Sequence, residues 1–244
     1  MKIVVVGGTG LIGSQVVRRL DEQGHEVTAA ALSTGVDLLT GAGLDRALAG
    51  AEVVVNLTNS PTFDEASVAF FQASMDHLLA ASRKAGAGHV VILSIVGVEQ
   101  VPELDYYRAK VLQEDLLKAG GIPYSIVRAT QFMEFADAVL SWTTDGETVR
   151  LPRTPLQPIA AADVAAVVAE IAAGAPLDGT LDIAGPEVFP LDELGRVTVA
   201  AHRDGRQVVV DDTAGMFAVV KGDVLIAPEG ARIASTHYRD WLAS

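Results

Sequence analysis

Tyr106 and Lys110 stand four residues apart, a spacing that on a helix puts a phenol and an ammonium on one face within reach of each other. A free phenol has a pKa of about 10 and is a poor acid or base at neutral pH. A neighbouring ammonium stabilises phenolate and lowers that value. The tyrosine could then exchange a proton with a carbonyl or carbinol oxygen. Ser94 comes twelve residues before Tyr106, at the end of an apolar run, where its hydroxyl could hydrogen-bond the same oxygen. Helical spacing of a Tyr and a Lys also arises by chance, and Tyr107 competes with Tyr106 as the inward-facing ring.

These groups need a scaffold and a redox partner, and the start of the chain offers both. The run Ile3-Val4-Val5-Val6 enters Gly7-Gly8-Thr9-Gly10-Leu11-Ile12-Gly13, then a helix with apolar Leu11, Ile12, Val16, Val17 and Leu20. Gly7 permits a tight turn, Gly10 lets the backbone approach a pyrophosphate, and Gly13 lets the helix pack closely on the sheet. The helix N-terminus adds unpaired N–H groups and a positive dipole end. Gly24 is a plausible helix end and Val27–Leu32 a second strand, which completes the βαβ context that a glycine pattern needs before it can be read as dinucleotide-binding. Gly7, Thr9, Gly10, Leu11 and Ile12 are the candidate pyrophosphate contacts. With a nicotinamide in place, its positive ring would assist Lys110 in stabilising the Tyr106 phenolate, and Lys110 has a second reading as a ligand of the nicotinamide ribose.

The end of the second strand is where such folds choose between cofactors. An acidic residue there holds the ribose hydroxyl of NAD, and a basic one accommodates the phosphate of NADP. Neither is present where the strand ends, at Ser33-Thr34, and the first carboxylate after it is Asp37. Ser33 and Thr34 could donate to a 2′-phosphate, and no carboxylate repels it, which leans towards NADP(H) over NAD(H). Asp37 is placed near the adenine edge.

Further along, Val53–Leu57 reads as a buried strand ending in Thr58-Asn59-Ser60-Pro61, a polar break facing a cofactor. A long helix is expected over Asp64–Ala85, with Phe70, Phe71, Met75, Leu78 and Leu79 at core spacing and His77 in a structural role. His89–Ser94 is a strand, a helix runs from Asp105 to about Ala119, and Tyr124–Arg128 is a strand followed by Ala129, Thr130, Gln131 and Phe132. Strands alternating with helices from residue 2 to 128 imply a doubly wound parallel sheet. Ligands of such sheets lie outside the strand C-termini, which puts Gly7, Thr58, Ser94 and Thr130 along one rim.

From Trp142 the texture is more irregular, with Pro152, Pro155 and Pro158, a helix over Ala162–Ala173, a strand Thr180–Ala184, a helix Leu191–Ala201 and a strand Gln207–Val210. We expect one domain over 1–244: a cofactor-binding core over about 1–141, and a C-terminal region over about 142–244 that closes the substrate cleft, with 157–184 re-entering the core.

Composition narrows the function classes. Without cysteine there is no disulfide framework and no thiolate nucleophile, and no metal-ligand spacing is present. A net charge of -13 argues against nucleic acid as a partner, since phosphate neutralisation needs clustered Lys and Arg. No apolar run is long enough to cross a bilayer and Met1 leads straight into strand residues, so a cytoplasmic protein with no membrane partner is expected.

The glycine turn, the Ser94 strand, Tyr106-x-x-x-Lys110 and the Arg128-Ala129-Thr130-Gln131-Phe132 segment together resemble the atypical short-chain dehydrogenase/reductases, in particular the NmrA-like branch. Gln157–Val164 is similar to that branch's re-entry into the main domain. The resemblance implies a Rossmann-like α/β domain with a small C-terminal substrate region, binding NAD(P)(H). It carries the family's catalytic serine, tyrosine and lysine onto Ser94, Tyr106 and Lys110. It also puts Ala129, Thr130 and Phe132 beside the nicotinamide, and they join Thr58 and Asn59, placed in the cofactor set by the polar break after the third strand.

On this basis the sequence predicts an NAD(P)H-dependent oxidoreductase acting on a small carbonyl or quinone, as a monomer or homodimer. Phe132, Met133, Phe135, Val139 and Trp142 are read either as an apolar substrate lining or as internal packing. Two rivals stand beside it. One is a dinucleotide redox sensor acting through a protein partner without catalysis. The other is a redox-neutral epimerase or isomerase recycling a tightly held NAD.

Overall fold

The computed structural model describes all residues, Met1–Ser244. Its first half is a run of strand–helix units: Lys2–Val6 (β1), Leu11–Glu22 (α1), Glu26–Ala30 (β2), Leu44–Ala47 (α2), Val53–Asn56 (β3), Ala66–Ala85 (α3), His89–Ile95 (β4), Asp105–Ala119 (α4) and Tyr124–Ala129 (β5). Ala136–Trp142 (α5), Thr144–Asp145 (β6), Thr148–Leu151 (β7), Pro155–Leu156 (β8), Ala161–Ala173 (α6) and Gly179–Ala184 (β9) follow. The chain ends with Phe189–Pro190 (β10), Leu191–Ala201 (α7), Gln207–Val210 (β11), Arg232–Ile233 (β12) and Tyr238–Leu242 (α8).

A seven-stranded parallel sheet runs in the order β12-β9-β5-β4-β3-β1-β2, so the expected Rossmann-like doubly wound fold is present. Connections lead one way from β1 to β2 and the other way from β3 onwards. The order therefore reverses between β1 and β3, the switch point where such sheets leave a crevice for a ligand. Small sheets form from β10 with β8 and from β11, β7 and β6.

By its internal contacts the chain forms two compact units. The first holds Met1–Ser94, Leu104–Arg128 and Val164–Leu181; the second holds Ile95–Glu103, Ala129–Asp163 and Asp182–Ser244. In the first unit the β-branched strands β1 and β3 are buried on both faces, as a covered parallel sheet requires. Helix α3 buries Ser67, Phe71, Met75, Leu78 and Ser82, a stripe at helical spacing, while Phe70 remains only half-buried. His77 accepts the structural reading: its Nδ1 lies 2.8 Å from the Leu38 carbonyl. In the second unit Met133 and Val139 are buried, which is packing, whereas Trp142 is half exposed and meets Phe135 edge-on.

The second strand stops at Ala30 rather than Leu32 because Leu32–Thr34 turns into a single 3-10 turn. Thr34 drives it: its hydroxyl accepts the Ala31 N–H at 2.9 Å and donates to the Ala31 carbonyl at 3.0 Å, a local bond that competes with the strand ladder.

At the N-terminal ends of β4 and β5, His89 is buried with its Nε2 2.8 Å from Ser125 Oγ, which in turn accepts the Leu177 N–H. Burial lowers the His89 pKa, and the nearby Asp178 carboxylate only partly opposes it. The folded value is therefore below the unfolded one of about 6.5, so this stabilisation is present above that pH and is lost on acidification. Urea midpoints should fall between about pH 7 and pH 5, and His89→Gln should flatten that dependence. An equal slope in wild type and variant would remove His89 from the account.

Candidate active site

The glycine turn is shaped by the switch point. Gly7 has φ +79°, and a Cβ there would lie 2.8 Å from the Leu57 carbonyl carbon and 3.0 Å from the Thr58 nitrogen. The turn is thus pressed against the segment leaving β3. At Gly13 a Cβ would lie 2.1 Å from the Gly7 carbonyl oxygen, so only glycine lets α1 sit this close. Gly10 differs. Its backbone is extended, and a Cβ would meet only the Gly7 oxygen, at 3.4 Å. The protein's own packing does not require glycine there, whereas a pyrophosphate drawn against the backbone would.

Helix α1 also begins without a side-chain cap, and Thr9, Gly10 and Leu11 are exposed while Ile12 is buried. Uncapped N–H groups beside an open glycine fit a dinucleotide.

The segment after β3 is organised by Asn56, a buried residue that sequence reading passed over. Its Oδ1 accepts the Thr58 N–H at 3.1 Å and the Thr58 hydroxyl at 2.7 Å, which turns the chain outward and presents Asn59. Asn59 Oδ1 in turn accepts a hydrogen bond from the Tyr106 hydroxyl. One continuous path of contacts therefore joins the Gly7 turn, Leu57, Thr58, Asn59 and Tyr106.

Both Tyr106 and Tyr107 are buried on α4, but Tyr106 is the ring that reaches this path. It packs edge-on against Phe63 at 5.0 Å between centroids and at a tilt against Phe71 at 6.1 Å. Phe63 is itself 38% exposed, so part of an aromatic side chain reaches solvent beside the phenol. Neither phenylalanine was legible as a site residue from helical spacing.

Sequence reasoning expected the Lys110 ammonium to lower the Tyr106 pKa. The structure shows the opposite direction. Burial raises the phenol above its ordinary value, the neighbouring Tyr107 adds to this, and the Asn59 bond only partly opposes it. Lys110 is turned to other partners: Nζ donates to the Leu93 carbonyl at 2.6 Å and to Gln113 Oε1, and lies 4.9 Å from the Phe71 ring centre. Burial pushes this amine down to about 7, against the charge of Glu114.

Ser94, near the end of β4, meets a later turn of α4. Its Oγ is buried without a well-formed hydrogen bond, beside the Glu114 carboxylate. Glu114 is eight residues past Tyr106, roughly 12 Å of helix rise. The structure thus brings Tyr106 to Asn59, but brings neither Lys110 nor Ser94 to the phenol oxygen.

Of the remaining candidates, Ser33 Oγ is exposed and 3.5 Å from Thr9 Oγ1, whereas the Thr34 hydroxyl is spent on its own turn. Asp37 is occupied locally: its carboxylate accepts the Leu39 N–H and the Thr40 hydroxyl, which hold its pKa low. Ala129, Thr130 and Phe132 belong to the second unit. There the Ala129 carbonyl accepts the Val96 N–H, the Thr130 N–H donates to the Ile183 carbonyl, and Phe132 bridges Ile159. The Thr130 hydroxyl is buried without a partner. No group of three or more His, Cys, Asp or Glu side chains is disposed to hold a metal.

A β1–glycine turn–α1 unit at the switch point of a parallel sheet, with a buried tyrosine reached from it, defines a dinucleotide-dependent class. Residues 7–174 match the NAD(P)H-binding family, and the chain belongs to it. It is 30% identical over 210 residues to the (4-alkanoyl-5-oxo-2,5-dihydrofuran-3-yl)methyl phosphate reductase of Streptomyces griseus, covering 78% of this chain and 70% of that one. Two solved structures share the fold. The dTDP-4-dehydrorhamnose reductase of Bacillus anthracis, in complex with NADP, has a TM-score of 0.76 at 15% identity, covering 99% of this chain and 97% of that one. The NADPH-dependent quinone oxidoreductase QOR2 of Escherichia coli, complexed with NADPH, has a TM-score of 0.66 at 19% identity, covering 86% and 77%. Family and relatives together mark an oxidoreductase-type protein.

Proposed function

We propose that the chain is an NADPH-dependent reductase of a small apolar or aromatic carbonyl or quinone, with Tyr106 as the proton donor. The observation that carries this is the contact path from the glycine turn through Thr58 and Asn59 to the Tyr106 hydroxyl. Gly7, Thr9, Gly10, Leu11 and Ile12 would hold the pyrophosphate, and Ser33 the adenosine ribose. Thr58 and Asn59 would line its course towards the nicotinamide. Asp37 stays near the adenine as a loop-forming residue.

When bound, the reduced nicotinamide supplies a hydride to an electrophilic carbon. Tyr106 does the rest. A phenol with a raised pKa is protonated at neutral pH but is a weaker acid than a free one, so it is the strongly basic alkoxide developing as hydride arrives that draws its proton. That proton passes to the substrate oxygen as the carbonyl carbon gains the hydride, and water returns a proton to Tyr106. Asn59 holds the hydroxyl until substrate arrives. Lys110 and Ser94 serve by position: Lys110 ties α4 to the Leu93 carbonyl, and Ser94 packs at Glu114. The partly exposed Phe63 side chain beside the phenol favours an apolar or aromatic substrate.

A second reading has its own observation. Neither Lys110 nor Ser94 hydrogen-bonds the phenol, whose partner is Asn59, as a dinucleotide sensor without catalysis would tolerate. A panel of quinones and aromatic carbonyls, followed at the nicotinamide absorbance band with NADPH and NADH, separates the two. Oxidation of NADPH by a panel member supports the reductase. Tight dinucleotide binding with no oxidation across the panel turns the assignment to the sensor.

A further inference from the structure

The end of β2 carries no basic residue in sequence, yet a cation stands over it in space. We propose that Arg46, on α2, binds the ribose 2′-phosphate of NADP(H) together with Ser33, and so sets selectivity for NADP(H) over NAD(H). The inference rests on the reductase reading above for the presence of a dinucleotide, and adds the residue that discriminates between its two forms.

Two glycines bring the elements together. Gly35, after the 3-10 turn, has φ +81°, and Gly43, before α2, has φ +77°. A Cβ on Gly43 would lie 2.2 Å from the Gly35 carbonyl oxygen, so α2 starts in direct contact with the loop that leaves β2. A Cβ on Gly35 would lie 3.7 Å from Arg46 Nη2. The guanidinium therefore lies against the bare backbone of Gly35, two residues from the exposed Ser33 hydroxyl.

The charges nearby leave Arg46 open for an anion. Arg46 is exposed and makes no hydrogen bond or ion pair with the protein. Its helix neighbour Asp45 is held by Lys84, and Asp37 by Leu39 and Thr40. Residues 30–36 read Ala-Ala-Leu-Ser-Thr-Gly-Val, with no carboxylate to hold a free 2′-hydroxyl or to repel a phosphate. A planar guanidinium presents paired donors that match phosphate oxygens, and an uncompensated one beside a hydroxyl is suited to this ligand.

The location agrees with the rest of the cofactor path. Ser33 Oγ faces Thr9 Oγ1 of the glycine turn at 3.5 Å, so the proposed phosphate site adjoins the proposed pyrophosphate site. Leu32, the residue before it, is a leucine left 77% exposed, an apolar face beside a polar pair as an adenosine would need.

The test is a fluorescence titration of the full chain with NADPH and NADH, at low and high salt, with displacement by adenosine 2′,5′-bisphosphate and by AMP. Arg46→Gln should weaken NADPH about tenfold or more, the worth of a charged hydrogen bond, and leave NADH within about twofold. The salt dependence of NADPH binding should fall with it, and the bisphosphate should follow NADPH while AMP follows NADH. Ser33→Asp should move preference to NADH. Because Arg46 is exposed and unpaired, its replacement should leave the fold intact, and Arg46→Lys should retain part of the selectivity. Equal weakening of both dinucleotides by Arg46→Gln, unchanged NADPH affinity, or a wild type without preference would each overturn the proposal. The two readings fail separately. Reduction supported equally by NADPH and NADH sinks Arg46 and leaves the reductase; selective NADPH binding lost in Arg46→Gln, with no substrate reduced, sinks the reductase and leaves Arg46.

Discussion

Tyr106→Phe is expected to retain NADPH affinity and to lose turnover by about 10²- to 10⁴-fold, the usual worth of a positioned general acid. The ring is buried and keeps its contacts with Phe63 and Phe71 after the change, so the substitution removes one oxygen and little packing. What remains is an Asn59 amide oxygen without its donor, next to solvent that can replace it. A loss confined to kcat, with KM and cofactor affinity held, identifies proton transfer. The pH profile carries a second signature. Because burial holds the phenol protonated, reduction by the wild type should not fall off between about pH 7 and pH 9 through Tyr106 itself. Any fall in that window belongs to another group, and Lys110, with its pKa brought to about 7 by burial, is the first to examine. Full turnover in Tyr106→Phe would end the acid–base role and favour a reaction in which water or the substrate itself manages the proton.

Much of this site was visible in the chain before folding, and the division is physical. Periodicity exposed the elements, because a parallel sheet covered by helices imposes apolar runs on its strands and stripes on its helices. The Leu191–Ala201 and Gln207–Val210 bounds agree with the expectation to the residue. Gly7 and Gly13 were legible since close approach of backbone to backbone admits nothing larger. The bend of Thr34 was not, because a hydroxyl can serve a ligand or its own backbone and only the geometry distinguishes them. Spacing placed Tyr106 and Lys110 on one helix. It could not tell that a flexible four-carbon amine would find Leu93 and Gln113 rather than the phenol. Arg46 and Phe63 escaped for a related reason: each reaches its place through contacts distant in sequence from any motif.

Arg128→Met is expected to destabilise the protein by about 3 kcal/mol at neutral pH, because removing one partner of a buried ion pair strands the other charge. The Glu114 carboxylate is 1% exposed and accepts hydrogen bonds from Arg128 Nε at 2.9 Å and Nη2 at 2.7 Å. Burial alone would raise this carboxyl, yet the Arg128 bonds, with lesser help from Ser94 and Lys118, outweigh it and hold the pKa below the usual value. In the wild type the ionised form therefore stabilises the fold above the unfolded pKa of about 4.3, and that contribution is lost as pH falls through the lower folded value. The variant reverses the sign. With Arg128 gone, burial dominates, the carboxyl rises, and Glu114 takes a proton at a pH where the wild type keeps it ionised. The deficit should thus be largest near pH 7 and shrink towards about pH 5, read as the difference in urea midpoints. Lys118 at 3.3 Å moderates the loss, but its side chain is partly in solvent and screened. Replacing both partners, Glu114→Met with Arg128→Met, should regain most of the stability, since an apolar pair needs no desolvation of charge. That double variant also asks what the pair does for the reaction. Glu114 sits one turn beyond Lys110 and two beyond Tyr106 on α4, and Arg128 fixes that helix to β5. If the double variant is stable and still turns over, the pair only holds the fold. Should it be stable with turnover reduced and cofactor affinity unchanged, the ion pair sets the register in which α4 offers Tyr106 to Asn59.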